Sequence, residues 1–442
     1  MQAVEQLLGR IADFVWGPPL LILLVGTHLF LTFRLRFIQR FIGKAIKLSF
    51  ERKKEGEGDI SHFGALATAL AATIGTGNIV GVATAVAAGG PGAVLWMWLT
   101  GVFGIATKYG EAVLSVKYRI RNPKGQFAGG PMYVIERGMK QKWLAVVFAL
   151  LTAISAFGIG NMVQANSIST MVQETFRVSP WISGVVMTAL TALVILGGIK
   201  YIARVCERLV PFMAVFYIAS CITLLIWKAD TLLDTISLIL SSAFGGHAVI
   251  GGFVGATVRD TLRYGIARGL FSNESGLGSA PIVAAAAQTK NPVRQALVSS
   301  TGTFWDTVVV CAITGLVVVN SGLWRHGLNG AALTKAAFGE FHVLGPIVLT
   351  VALLTFVFST ILGWSYYGEK AAEYLFGTRA VRTYRWLWVA AIMVGSVVSL
   401  QAVWSFADIT NGLMAIPNLI SLIVLSGVIV AETRVHLWKP RE

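Results

Sequence analysis

The apolar stretch Ala65–Gly81 has the character of a membrane span, yet its centre reads Gly75-Thr76-Gly77-Asn78. Two glycines and an asparagine so close together disfavour helix at a depth where no water satisfies freed backbone groups. Broken backbone is tolerated there when it is buried in protein or lines a cavity, which marks a transport site rather than an anchor. The chemistry on offer is anion binding. An unwound segment followed by a new helix N-terminus turns N–H donors and a positive dipole end toward a carboxylate, and Thr76 and Asn78 add side-chain donors. The plainer alternative is small-residue packing, because Gly77 and Gly81 stand four apart. The same residues spell GxGxxxG, but no strand precedes them, so a dinucleotide loop is not expected.

A second interruption, Ser272-Asn273-Glu274-Ser275-Gly276-Leu277-Gly278-Ser279, lies far down the chain. Phe271, directly before it, is a candidate wall for a small pocket, and Ser272 and Asn273 join the candidate substrate-binding residues. Asn161 and Gln164 are amides at membrane depth, where an unpaired polar group is costly. Gln164 either hydrogen-bonds a substrate carboxylate or glues helices together. Glu274 and Asp306 are intramembrane carboxylates, functional by default. Glu274 could couple protons, organise an ion, cap the broken helix or pair with Arg268; Asp306 reads more as a structural partner. For a monovalent cation, about five oxygens are needed, mostly carbonyls and hydroxyls, and the carbonyls of Ala71 and Ile74 just before the first break are free to supply some.

No catalytic set accompanies these residues. The six histidines are scattered, without HExxH or Cys/His spacing, and there is no Walker A sequence or Gly-x-Ser-x-Gly elbow. The chain is therefore not expected to be an enzyme, and any pumping must draw on an ion gradient. Cys206, Cys221 and Cys311 are an odd, scattered set with two in apolar spans, which argues against a disulfide framework. No cleavable leader is expected: Glu5 and only Arg10 precede the first apolar stretch, and no small-residue cleavage site follows.

The elements that must position these residues are membrane helices. Of 442 residues, 55% are hydrophobic and 13% charged, against roughly 25% charged in a soluble domain, and mean hydropathy is +0.71. Eleven spans are predicted, at 11–33, 62–88, 91–117, 143–168, 180–198, 209–228, 257–287, 296–320, 344–368, 385–402 and 407–430. The apolar runs are continuous rather than alternating, which excludes a β-barrel. The net charge of +15 fits loops on the positive side of a membrane better than nucleic-acid binding. If 34–54 is cytoplasmic, 27 of the 36 Lys and Arg fall on that side, with the N-terminus outside and the C-terminus inside. Eleven is one plus five plus five. Spans two to six and seven to eleven form two units of odd count, hence of opposite topology, and each unit opens with an interrupted span. The expected organisation is an extra N-terminal helix and basic loop (1–60), a first repeat (61–228), a second repeat (245–430) and a cytoplasmic tail (431–442), all within one transport domain.

Four stretches together resemble the alanine or glycine:cation symporter family: Gly75-Thr76-Gly77-Asn78, the run Gly89-Gly90-Pro91-Gly92-Ala93-Val94-Leu95-Trp96-Met97-Trp98, Asn273-Glu274-Ser275-Gly276, and Gly363-Trp364-Ser365-Tyr366-Tyr367-Gly368-Glu369. Leu95 stands where the family favours Phe. The similarity extends over nearly the whole chain. It implies the all-α LeuT-like fold with its 5+5 inverted repeat, the first span being the extra helix, and cotransport of a small neutral amino acid, alanine or glycine, with sodium across a cell membrane. It also implies that hydroxyls for the sodium ion come from span nine, at Ser359 and Thr360 beside Phe356. Adjacent side chains point about 100° apart on a helix, so both are expected to face one ion only at a helix irregularity; the alternative is that they bond back to carbonyls one turn earlier. Trp364, four residues after Thr360 on the same face, is a candidate to wall the pocket and limit side-chain size. The expected substrate set is thus Thr76, Gly77, Asn78, Gln164, Phe271, Ser272, Asn273, Thr360 and Trp364, and the expected sodium set is Ala71, Ile74, Phe356, Ser359 and Thr360. A proton-coupled or uncoupled facilitator and, more remotely, a membrane-embedded enzyme are the competing readings. No obligate protein partner is implied.

Overall fold

A computed structural model describes residues 2–51, 56–244, 258–398 and 400–438. Parts of the expected basic loop (52–55), of the start of the second repeat (245–257) and of the tail (439–442) lie outside the described residues. The first span is two helix segments, α1 (Gln2–Val15) and α2 (Pro18–Arg34), joined at Gly17. Pro18, at the start of α2, lacks the N–H that a continuous helix would use. A short α3 (Ile42–Ser49) leads to α4 (His62–Thr73), whose start is fixed by Ser61 accepting the Gly64 N–H at 2.8 Å. The chain then breaks, resumes through a wide π-type turn at Gly77–Gly81 and continues as α5 (Val82–Gly89), bent 51° from α4.

The remaining order is α6 (Ala93–Lys117), a hairpin of β1 (Ile120–Arg121) and β2 (Phe127–Ala128), α7 (Pro131–Gly138), α8 (Lys142–Phe157), a π-type turn at Gly158–Met162, α9 (Val163–Phe176), α10 (Pro180–Ile195), α11 (Ile199–Trp227) and α12 (Leu232–Phe244). The second half runs α13 (Val258–Asn273), the second break, α14 (Pro281–Ala284), α15 (Pro292–Thr303), a π-type stretch at Phe304–Cys311, α16 (Ala312–Asn320), α17 (Gly330–Phe341), α18 (Gly345–Phe376), α19 (Ala380–Val397), α20 (Leu400–Val424) and α21 (Ser426–Thr433). The basic stretch 200–208, expected as a loop, is the first part of α11, and the expected tail is helical as far as Trp438.

Among the described residues, six helical stretches are long and apolar enough to cross a membrane, and the bent pair around the first break makes up to seven. Three of the other four expected spans coincide with helices that fall short for identifiable reasons. Ala93–Lys117 carries Lys108 and Glu111 in its interior, α13 carries Arg259, Asp260, Arg263 and Arg268, and α10 is only 16 residues long. Lys108 and Glu111 face protein rather than lipid, buried at 2% and 3% exposure. At the centre stands α18, 32 residues and about 48 Å long at 1.5 Å per residue. It is buried without interruption from Ser359 to Glu373, as a helix surrounded by other helices must be.

Candidate functional site

The two breaks meet. A Cβ placed on Gly77 would stand 3.2 Å from both Phe271 Cδ1 and Ser272 Cα, so the absent side chain lets one broken segment lie against the other. The first break is held by its own asparagine. Asn78 Oδ1 accepts the Gly75 N–H at 2.9 Å, and Nδ2 donates to Asp306 Oδ1 at 2.7 Å and to the Asp306 carbonyl at 3.1 Å. Gln164 closes the other side: its Oε1 accepts the Thr76 N–H at 3.3 Å while Nε2 donates to the Ile159 carbonyl at 2.9 Å. Both amides therefore shape the break, Gln164 in the helix-joining way that was its alternative reading. Asn161 Nδ2 donates to the Trp388 carbonyl at 2.9 Å, while its Oδ1 has no partner among the described residues.

Asp306 sits on the π-type stretch before α16 and joins the two breaks. Its Oδ2 accepts from Ser272 Oγ at 2.9 Å and Thr307 Oγ1 at 2.6 Å, its Oδ1 from Asn78. The second break is made by three residues with positive φ, Glu274 (57°), Gly276 (93°) and Gly278 (84°). The left-handed backbone at Glu274 is strained for a side chain with a Cβ, and such strain collects at working sites. Glu274 does not pair with Arg268. Its Oε2 accepts from Ser279 Oγ at 2.5 Å and its Oε1 from Trp364 Nε1 at 2.8 Å. Trp364 is fully buried, and its ring lies where any side chain at position 160 would be, so Gly160 is required for the fit.

Two buried polar atoms, one at each break, lack a hydrogen-bond partner among the described residues: Thr76 Oγ1 and Asn273 Nδ2. A buried donor without a partner costs about 1–3 kcal/mol. Asn273 Oδ1 is already used, by the Ser275 N–H at 2.9 Å.

Beside the first break, five oxygens converge. Ser359 Oγ lies 3.2 Å from the Ala71 carbonyl and 2.8 Å from the Phe356 carbonyl; Thr360 Oγ1 lies 3.3 Å from the Ile74 carbonyl and 2.9 Å from the Phe356 carbonyl. No helix irregularity is needed, contrary to the expectation, because α18 is regular there. The i−3 and i−4 directions of adjacent residues both reach the Phe356 carbonyl, and the unwound end of α4 brings the other two carbonyls to them. The hydroxyls do bond back one turn, and each also faces the break. A cation held at about 2.4 Å spaces neighbouring ligands by roughly 3.4 Å; the four hydroxyl–carbonyl separations, 2.8, 2.9, 3.2 and 3.3 Å, lie just below that spacing.

Several supporting residues went unread in the sequence. Lys108 donates to the Asn273 carbonyl at 2.8 Å, and Glu111 Oε1 accepts the N–H groups of Gly276 and Gly278 at 3.0 and 3.1 Å and Asn418 Nδ2 at 2.7 Å. Charged residues inside an otherwise apolar span were the available signal. Arg268 pairs with Asp408 at 3.2 Å, and its guanidinium lies over Phe271 and Trp404, which stack at 5.3 Å. Phe271 is thus part of a layer joining α13 to α20. At the opposite end of the broken helices, Asp59 and Ile60 donate to the Ala286 carbonyl at 2.8 and 3.2 Å. Arg119 there clasps the carbonyls of Glu57, Ala285, Ala287 and Thr289 at 2.7–3.0 Å. Burial pushes the Asp59 carboxyl above its ordinary range, opposed by the Phe127 N–H and Lys370.

The family model for the sodium:alanine symporter family matches residues 1–442. The chain belongs to that family. The sodium/alanine symporter AgcS of Methanococcus maripaludis is 52% identical over 439 residues, covering 97% of this chain and 96% of the relative. Among solved structures, MhsT in complex with L-phenylalanine superposes with a TM-score of 0.55 at 16% identity, covering 87% of this chain and 91% of that one. A Na+-coupled sialic acid symporter in a substrate-bound outward-open state gives 0.52 at 12%, covering 95% and 86%. At these identities the structures establish the fold, which is LeuT-like. This sodium:alanine symporter family member is a multi-pass membrane transporter and not an enzyme.

Proposed function

We propose that this symporter family member carries a small neutral amino acid, alanine or glycine, into the cell together with Na+, by alternating access around the two breaks. The observation that carries the reading is the convergence of the Ala71, Ile74 and Phe356 carbonyls with the Ser359 and Thr360 hydroxyls. This is a neutral oxygen cage suited to a weakly held monovalent ion. The substrate carboxylate goes to the breaks, where Thr76 Oγ1 and Asn273 Nδ2 lack partners, with Trp364 and Phe271 limiting side-chain size. A carboxylate alone in this setting would be costly; a cation held by the same broken segment offsets that cost, which makes binding of the two mutually dependent.

The organisation that serves this cycle is one extra N-terminal span followed by two inverted repeats, 61–228 and 245–430. It has eleven crossings, the N-terminus outside and the C-terminus in the cytoplasm. A second reading, coupling to protons, is favoured by Glu274, a buried carboxylate on strained backbone that contacts Trp364. Radiolabelled alanine uptake into proteoliposomes separates the readings: an inward Na+ gradient should drive accumulation, and a proton gradient without Na+ should not. Accumulation driven by protons alone would put Glu274 in the coupling role.

A further inference from the structure

We propose that the cavity between the α10–α11 turn, the end of α18 and the start of α19 is a headgroup site for an acidic phospholipid. The cavity holds about 510 Å³ and lies away from both breaks. Its two carboxylates are already neutralised: Glu369 takes Arg385 at 2.7 and 3.0 Å, and Glu373 takes Lys370 at 2.7 Å and Asn122 at 2.5 Å. That leaves Lys124, Lys200 and Arg382 lining the space with no carboxylate at salt-bridge distance among the described residues. All three are exposed.

The same space is bordered by the first turns of two helices. α11 begins at Ile199, after Gly198 with φ +72°, and α19 begins at Ala380, with Val381 and Arg382 on the cavity wall. Each first turn brings the positive end of a helix dipole to the cavity, although the Tyr201 and Ile202 N–H groups already bond the Gly198 carbonyl and the Ala380 N–H the Gly377 carbonyl. Three unpaired cations and two such helix starts define a site for a phosphate-bearing anion.

The surroundings identify the source of that anion as lipid. The outer surfaces leading from the cavity are apolar and open: Leu193 is 77% exposed, Leu196 46%, Leu387 56%, Trp386 52% and Tyr201 53%. Apolar helix faces for acyl chains, with a Trp and a Tyr at the level of a cationic pocket, are what a bilayer interface presents. A free phosphate would make no use of them. The proposal requires that the chain spans a membrane but not that it carries sodium or alanine.

The test is native mass spectrometry of the full-length protein in detergent, with phosphatidylglycerol or phosphatidylcholine added. The wild type should retain phosphatidylglycerol in preference. Each cation near an anionic headgroup contributes a factor of about five, so Lys200→Gln with Arg382→Gln should weaken retention by at least about tenfold. The control Lys44→Gln with Lys47→Gln removes the same charge from exposed positions on α3 and should leave retention unchanged. Inorganic phosphate at the same concentration should not displace the lipid. Undiminished retention by the double variant, equal loss in the control, or displacement by phosphate would each overturn the proposal. Transport is not the readout, so failure of the sodium–alanine reading would leave this result intact.

Discussion

Trp364 Nε1 donates a 2.8 Å hydrogen bond to Glu274 Oε1, so the tryptophan on unbroken α18 and the acid on the second break form one unit. A change in the angle of α18 against the break must move both. Trp364→Phe keeps most of the ring but leaves the carboxylate oxygen without its donor, a cost of about 1–3 kcal/mol. Uptake by this variant should fall even where the purified protein is monodisperse. Trp364→Ala also opens space. Truncating a buried Trp costs roughly 3–5 kcal/mol, so expression is checked first, and each added substrate methylene in contact regains about 0.8 kcal/mol at best. Lower absolute alanine uptake with a ranking shifted toward valine and leucine is the expected outcome. An unchanged ranking in a folded protein would place the ring outside the pocket.

Ser359→Ala and Thr360→Ala each remove one of five converging oxygens. A lost neutral contact is worth about 1 kcal/mol, roughly a fivefold change. The Na+ concentration for half-maximal alanine uptake should rise by about that factor in each variant, with a smaller rise in the alanine requirement through linkage. Sodium titrations at fixed alanine, read against the parent, measure this. Unaltered Na+ dependence in both variants would move the ion elsewhere.

Gly77→Val should abolish uptake in a protein that still folds. The added atoms would press on Phe271 and Ser272 at 3.2 Å, forcing the breaks apart, and a β-branched residue resists this backbone. Size-exclusion behaviour and uptake measured on the same preparation decide it; near-normal uptake would mean that the breaks need not touch.

Topology is open to cysteine labelling, because Cys206, Cys221 and Cys311 are all buried. Lys44→Cys and Arg325→Cys place thiols at exposed positions. An impermeant maleimide added to intact cells should label the second and spare the first. Labelling of Lys44→Cys from outside would reverse the proposed orientation.

The breaks were legible in the sequence because their cause is local: glycines, an asparagine and positive-φ positions interrupt helix wherever the chain goes. For the expected sodium set, Ser359 and Thr360 come from the family resemblance and the carbonyls of Ala71 and Ile74 from the break itself; the fold brings these groups to 3.2 and 3.3 Å of one another. In the sequence Asn78 reads as a side-chain donor at the break and Gln164 as either a substrate ligand or interhelical glue, because an amide at membrane depth needs a partner. Which partner it finds depends on chains far away, Asp306 for Asn78 and the Ile159 carbonyl for Gln164. Lys108, Glu111 and the Arg268–Asp408 pair escaped for the same reason: each is explained only by a residue more than a hundred positions distant. The joint at Gly17-Pro18 lay in plain view but was hidden by the continuous hydropathy on either side.

The most direct test of the central claim, that the cage beside the first break carries Na+ with the substrate, is the joint flux of radiolabelled Na+ and alanine in one set of proteoliposomes. Unlabelled alanine added outside should accelerate radiolabelled Na+ uptake in the wild type, and this acceleration should be sharply reduced in Thr360→Ala. Alanine accumulation that persists when choline replaces Na+, or alanine-driven Na+ uptake that is undiminished in Thr360→Ala, would contradict the account.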